Sequence, residues 1–377
     1  PRSLRPSRRA VLGALGAGTV AAGVPGVAAA ARKRDGRRRR SGGEGDGRSP
    51  RGDGPAGGTA TPAADGPDRF GRLFADHPPF AEADDELRVQ LTELGRAGGI
   101  LDADDPLEQG PILLITDPDL SPRNRDNPEH TAGVTFVGQF LDHDITSDAG
   151  SRLGQPESVA RSTNLRTARF DLDSVYGGGP AASPELYTAN DPFVFRVASG
   201  GLFEDLPRDD TGAAVIADGR NDENLMIAGL QAAFLLFHNA VLERVRATGL
   251  DGEPAFEEAR RLVRWHYQWL IVHEWLPQYV GAAMVADVLA NGRRHFTPST
   301  PRIPVEFQTA AYRFGHSMVR PSYRANLAGD EGEPFFGFVF DPAQFGVADP
   351  DDLVGGSRAP RRFMGWQSFF EFGDGVV

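Results

Sequence analysis

From about Phe70 onward the apolar positions recur every three or four residues, whereas strand-like runs such as Phe193–Val197 are short. A mainly α body with very little β is expected. Four segments carry the helical pattern. Asn127-Pro128 offers a cap and first turn for a helix through Asp144, with Val134, Val137 and Leu141 on one side and Phe136, Gln139, Phe140 and His143 on another. A second helix is predicted from about Asn221 to Arg246, where Leu225, Gly229, Ala232, Leu236 and Asn239 form a stripe that stops before Gly249. A third, from about Pro254 to Tyr279, is rich in aromatic residues. Pro304 and Pro321 bracket the fourth, with Phe307, Ala311, Phe314 and Met318 on one face.

Upstream of Phe70 the pattern changes. Ser7-Arg8-Arg9-Ala10-Val11-Leu12 opens a small-residue apolar run to about Val24, followed by Val27-Ala28-Ala29-Ala30. This is the layout of a twin-arginine signal peptide over residues 1–31, so an exported protein is expected. The run falls short of the ~20 apolar residues that span a bilayer and is diluted by glycine. Residues 32–69 are Gly, Arg, Pro and Asp with almost nothing to bury, which predicts a disordered linker. Its Arg51-Gly52-Asp53 is what chance supplies in such a tract. Residues 70–377 then form the folded domain, without an internal repeat. The chain opens on Pro1 and stops just after Trp366-Gln-Ser-Phe-Phe-Glu-Phe, so the domain is expected to lack a C-terminal part.

Composition narrows the function classes. With 377 residues, 40% of them hydrophobic, the chain can bury the core of one large domain or two ordinary ones. Residues 1–54 hold 13 Lys and Arg against 4 Asp and Glu, and the remainder 27 against 48, so the body carries −21. Such a body repels nucleic acid and anionic membranes, and no stable association with either is expected. The absence of cysteine excludes disulfides, thiolate zinc sites and thiolate-ligated haem.

Four constellations could carry chemistry. In Gln139-Phe-Leu-Asp142-His143-Asp144 two carboxylates flank a histidine near the end of an apolar helix, where three adjacent ionisable groups require partners. Gln139 and His143 lie one turn apart and can enter one cavity, although Asp-His-Asp also suits a solvated helix end. In Thr167-Ala-Arg169-Phe-Asp171-Leu-Asp173 alternate positions supply a hydroxyl, a carbonyl and two carboxylates. An extended loop would turn these groups the same way into an oxygen cage for a hard cation such as calcium, with Asp144 completing it; an acidic surface loop is the plainer reading. Arg220 and Glu223 stand one turn apart at a helix start, as a surface ion pair often does. Tyr312-Arg313-Phe314-Gly315-His316 places a histidine in an apolar helix beside a glycine that allows close approach; such histidines are commonly core residues. His273-Glu274 lacks the second histidine of a zinc-protease helix, because Pro277 stands in its place, and Gly177-Gly-Gly179 lacks the Gly-Lys-Ser of a phosphate loop. His77, His130, His238, His266 and His295 show no partner pattern and are expected to be structural.

Taken in order, the four constellations resemble the animal-type (myeloperoxidase-like) haem peroxidases, with bacterial members, over roughly residues 70–377. The resemblance implies a helical domain with haem b held between distal and proximal helices. His316 would ligate the iron, with Arg313 on the same segment. His143 would be the distal base, Arg220 would stabilise charge as the peroxide bond breaks, and Gln139 would orient water or halide. Asp142 and Glu223 occupy positions that can form ester links to haem, while Asn224 stands where myeloperoxidase has the methionine of a third link. Calcium would be held by Asp144, Thr167, the Arg169 carbonyl, Asp171 and Asp173. Hydrogen peroxide and a halide, thiocyanate or small organic donor are the implied substrates. The alternatives are a fatty-acid dioxygenase of the same superfamily, disfavoured because Arg313 replaces the tyrosine three residues before the proximal histidine, and an inactive haem- and calcium-binding adhesion protein. The family's proximal asparagine and propionate arginine are not found before Val377.

Overall fold

The computed structural model describes residues 68–148, 150–152, 159, 162–199, 203–329, 332–339 and 352–373. The signal-like segment and almost all of the expected linker lie outside them. Helices dominate the described residues: α1 (Asp85–Gly95), α2 (Ala132–Ile145), α3 (Leu225–Arg246), α4 (Gly252–Leu270), α5 (Leu276–Val280), α6 (Ala282–Asn291) and α7 (Val305–Thr309), with several shorter turns. Strands are confined there to three two-stranded antiparallel pairs: β1 (Asp68–Arg69) with β2 (Thr163–Asn164), β3 (Ala198–Ser199) with β4 (Glu204–Asp205), and β5 (Ser322–Asn326) with β6 (Phe335–Phe338). The expected mainly α class is observed.

The core is the junction of α2, α3 and α4. Phe140 of α2 stacks on Phe234 of α3 with ring centres 4.9 Å apart, and Tyr267 of α4 stands edge-on to both. These aromatic contacts add to the burial of three large side chains and lock the helices together. By length and composition α3 could cross a membrane, but fourteen of its residues are buried against the rest of the chain. Gly229 on its stripe lies beside Met364 and Trp366, and an added Cβ would come within 3.0 Å of the methionine. Gly133 donates its N–H to the carbonyl of Phe369, so residues 363–370 close over the ends of α2 and α3.

Three of the four predicted helices differ at their ends, each for a local reason. α2 begins at Ala132 rather than Asn127, because the Asn127 side chain caps a separate turn by accepting from the Glu129 N–H. A 3₁₀ turn over Gly219–Asp222 precedes α3, whose N-cap is Asn224: its Oδ1 accepts from the Ile227 N–H at 2.9 Å. Beyond α4 the chain continues through a π turn (Ile271–Trp275) into α5, with Pro277 at the start of α5 unable to donate. The indole N–H of Trp275 donates to the Val134 carbonyl, and its ring lies against Gly138, where a Cβ would sit 3.2 Å from it.

The single helix expected between Pro304 and Pro321 is two pieces. α7 ends at Thr309, Ala310 leaves the helical region (φ −130°, ψ −68°), and a 3₁₀ stretch runs over Ala311–Met318. The guanidinium Nε of Arg313 takes the Gln308 carbonyl at 2.7 Å, an acceptor that a continuous helix would have used for its own ladder.

His238, expected to be structural, is buried at the centre of the molecule with its ring nitrogens on the Tyr176 hydroxyl and the Phe193 carbonyl. Burial lowers its pKa from 6.5 to about 4, so the folded state holds a neutral ring where the unfolded chain would be protonated. A depressed histidine pKa gives stability that is complete above about 6.5 and lost as pH falls toward about 4. We expect unfolding free energies from urea titrations to fall by about 1.4 kcal/mol per pH unit for this group across that window, and a His238→Gln variant to show a shallower fall.

Candidate active site

The end of α2, the 3₁₀ turn before α3 and the 3₁₀ stretch at Ala311–Met318 converge. His143 is 4% exposed, and its Nδ1 lies 2.8 Å from Oδ1 of Asn221. Asn221 is itself fully buried and donates through Nδ2 to Oε1 of Gln231 on α3 at 2.9 Å. The other imidazole nitrogen, Nε2, lies 3.8 Å from a carboxylate oxygen of Glu223. Burial, with the positive charge of Arg220 second, lowers the His143 pKa to about 4, against the pull of Asp218 and the Asn221 hydrogen bond. At neutral pH the ring is uncharged and can accept a proton.

Arg220 does not point at the imidazole. Its Nε donates to Asp218, and one amino group reaches Asp218 and the backbone carbonyls of His143 (3.1 Å) and Thr146 (2.8 Å). The guanidinium thus satisfies carbonyls at the C-terminal end of α2 and places positive charge there, where the helix dipole favours it. Asp218 also binds Arg166 (Nε–Oδ2 2.9 Å), which precedes the Thr167–Asp173 loop. Burial pushes the Asp218 carboxyl up, but its hydrogen bonds to Arg220 and the charges of both arginines outweigh burial and hold it below the usual carboxylate range.

Gln139 shares this site. Its amide nitrogen donates to Glu223 Oε2 at 3.0 Å and its oxygen accepts from Asn224 at 3.1 Å. Asn224 therefore both caps α3 and orients Gln139. Asp142 accepts from the Thr146 hydroxyl on one oxygen and from Arg313 on the other (3.0 Å). The proximal candidate segment is thereby tied directly to α2, a second tie being Tyr312 Oη donating to the Gly138 carbonyl at 2.9 Å. His316 departs from expectation: it is exposed rather than packed in an apolar helix, and nothing lies within 4 Å of a Cβ built at Gly315. Its Nδ1 lies 3.0 Å from the Arg313 carbonyl, which leaves Nε2 as its outward nitrogen.

The Thr167–Asp173 loop forms a carboxylate cluster. Asp144, Asp171 and Asp173 each offer an oxygen within 4.8 Å of the others. The Thr167 hydroxyl donates to Asp171, and Asp144 accepts from the Leu172 N–H and the Ser174 hydroxyl. Leu172 adopts a left-handed conformation (φ 62°), which turns Asp171 and Asp173 to the same side. Arg169 is exposed and contributes at most its backbone oxygen. Burial, with the like charges of Asp173 and Asp171 next, pushes the Asp144 carboxyl well up. Burial also raises Asp173 to about 7 despite the charge of Arg166. A buried Asp173 oxygen has no hydrogen-bond partner. Three crowded carboxylates, one with a buried oxygen that takes no hydrogen bond and faces Arg166 at 3.8 Å, fit a hard cation.

The model of the animal haem peroxidase family matches residues 149–335, which include the Thr167–Asp173 loop, Arg220–Glu223 and Arg313–His316; Gln139–Asp144 lie just upstream of the match. The chain belongs to the animal haem peroxidase family. The peroxidasin homolog pxn-2 of Caenorhabditis elegans is 27% identical over 41% of this chain and 13% of its own length. Human thyroid peroxidase is 23% identical over 48% of this chain and 22% of its own length. The chain thus spans less than a quarter of either relative. Among solved structures, the fatty acid alpha-dioxygenase of Oryza sativa aligns with 18% identity and a TM-score of 0.42, covering 56% of this chain and 44% of that one.

Asn221, Gln231, Asp218, Arg166, Asn224 and Ser174 were not among the candidate residues of the sequence. Their only sequence signal was polarity: each is a polar residue at a buried position. Removing the shared carboxylate should be costly. Asp218→Ala removes the close counter-charge of two largely buried guanidinium groups, leaving Arg166 only the more distant Asp173 at 3.8 Å, and we expect a loss of about 3–5 kcal/mol in chemical denaturation, with Arg166→Ala less severe.

Proposed function

We propose that the protein is a haem-dependent peroxidase that reduces hydrogen peroxide and oxidises a halide, a pseudohalide or a small organic donor. The observation that carries the reading is His143: a buried, neutral imidazole with one nitrogen tied to Asn221 and the other turned toward the Gln139–Glu223 side of the site. The donor set suits haem b. His316 would hold the iron through Nε2, since Nδ1 is engaged with the Arg313 carbonyl. Asp142 and Glu223 supply the carboxylates suited to ester links at the haem edge. Asp142 is at present the partner of Arg313, so that ion pair must open for its link to form.

Haem iron, when bound, supplies the electrons that break the peroxide O–O bond. The protein's own part is proton movement and charge. Nε2 of His143 accepts the proton of one peroxide oxygen and returns it to the other, so the departing oxygen leaves as water rather than hydroxide. With an organic electron donor the overall change takes two electrons and two protons and gives two waters; with a halide or pseudohalide X−, one proton is taken up, and HOX and one water are formed. Arg220 acts from behind, since its charge disfavours an imidazolium at His143 and keeps the ring a base. Gln139 presents an amide whose direction is set by Glu223 and Asn224.

We infer that calcium occupies the Asp144, Thr167, Arg169, Asp171 and Asp173 cluster. Asp144 follows His143 on α2, so a bound cation would steady the helix end that presents the imidazole. Export through the twin-arginine route rests on Ser7-Arg8-Arg9 and the apolar run that follows.

Two measurements test this reading. Purified protein reconstituted with haem should show a Soret band that shifts with peroxide and is lost in His316→Ala; a full preparation without a Soret band overturns the proposal. Asp171→Ala should lower haem retention and peroxide turnover, and calcium should raise the melting temperature of the unaltered chain but not of this variant. Unchanged activity after exhaustive chelation would remove calcium from the account.

A further inference from the structure

Neutral imidazole has two tautomers, and only one leaves a lone pair on Nε2. Which one His143 adopts is decided by what faces Nδ1, and there the structure places a single group, Oδ1 of Asn221, at 2.8 Å. An amide oxygen can only accept, so Nδ1 must carry the proton. Asn221 could in principle present its NH2 instead, which would force the proton onto Nε2. In the structure Nδ2 is turned away from the imidazole and donates to Oε1 of Gln231 at 2.9 Å, and both amides are fully buried. Gln231 sits on α3, the core helix, so the relay is anchored on a rigid element.

We propose that Asn221, held by Gln231, is the positioning residue that fixes His143 with its proton on Nδ1 and its lone pair on Nε2. The catalytic consequence rests on His143 being the proton carrier of the proposed peroxidase; the tautomer itself does not. Asn221 lies between the candidates Arg220 and Glu223 without having been one itself, Gln231 lies outside every candidate constellation, and neither is assigned a substrate contact. Their effect runs through the imidazole, as the hydrogen bond on one ring nitrogen determines the chemistry of the other.

Nitrogen NMR of the full chain labelled with 15N-histidine tests this without haem or turnover. A His143→Gln variant assigns the signal among the eight histidines. At neutral pH, His143 should show a protonated, pyrrole-type Nδ1 and a lone-pair, pyridine-type Nε2. Asn221→Asp should keep that pattern, because a carboxylate only accepts. Gln231→Glu should keep it too, since a carboxyl oxygen still receives Asn221 Nδ2 while the Gln231 Nε2, which has no partner, is removed. Asn221→Leu should shift the signal toward the opposite tautomer and, with the Soret band retained in the haem-loaded protein, lower peroxide turnover by about tenfold to a hundredfold, with Asn221→Asp restoring most of it. A pyridine-type Nδ1 in the unaltered chain, or in Gln231→Glu, overturns the proposal. So does a tautomer unchanged in Asn221→Leu. A missing Soret band instead counts against the peroxidase reading and leaves the tautomer result standing.

Discussion

The carboxylate of Asp218 holds two arginines that do different jobs, and much of the site hangs on that sharing. Through Arg220 it reaches the carbonyls at the end of α2, and through Arg166 it reaches the strand-to-loop passage that leads into the acidic cluster. A lone guanidinium beside the buried His143 would be costly, and so would a lone buried carboxylate; together they stay charged out of water. Charge is thereby positioned close to the imidazole without touching it. Arg166 also lies 3.8 Å from Asp173, which links the acidic cluster to the same network.

Polar groups in this interior are organised as short relays rather than isolated pairs. Gln231 orients Asn221, which addresses His143; Asn224 and Glu223 orient Gln139; Thr146 and Arg313 divide the two oxygens of Asp142. Each relay begins on a residue fixed by a helix or its cap, so side-chain directions follow from the packing of α2 against α3. The aromatic contact of Phe140 with Phe234 therefore serves the chemistry by setting that packing.

Much of this was legible in the sequence, and the reasons differ by residue. Helical spacing gave α2, α3 and α4 because their apolar faces meet one another in the core. The acidic cluster was readable because Asp171 and Asp173 are close in the chain and Asp144 completes them from α2, but a left-handed turn at Leu172 and a helical start at Asp173, rather than an extended loop, bring them together. The break at Ala310 was not readable, because it depends on a side chain three residues on competing for a backbone carbonyl. Nor was the role of Arg220, whose partner Asp218 looks like any loop acid until its burial is known. Asn221 was the hardest case: it sits inside a stretch already singled out for Arg220 and Glu223, yet its importance comes from Gln231, ten residues further on and a turn deep in the core.

Asp142, His143 and Asp144 are consecutive on a helix, where each step turns the side chain by about 100°. One faces the Arg313 segment, the next Asn221, the last the acidic loop. The end of α2 is thus a three-way indexing device, and its angular setting is inherited from every residue back to Ala132. A single residue inserted or deleted between Trp275's anchor at Val134 and Gln139 would rotate all three connections to the wrong neighbours at once. This stretch of helix is a ruler whose graduations cannot be changed one at a time.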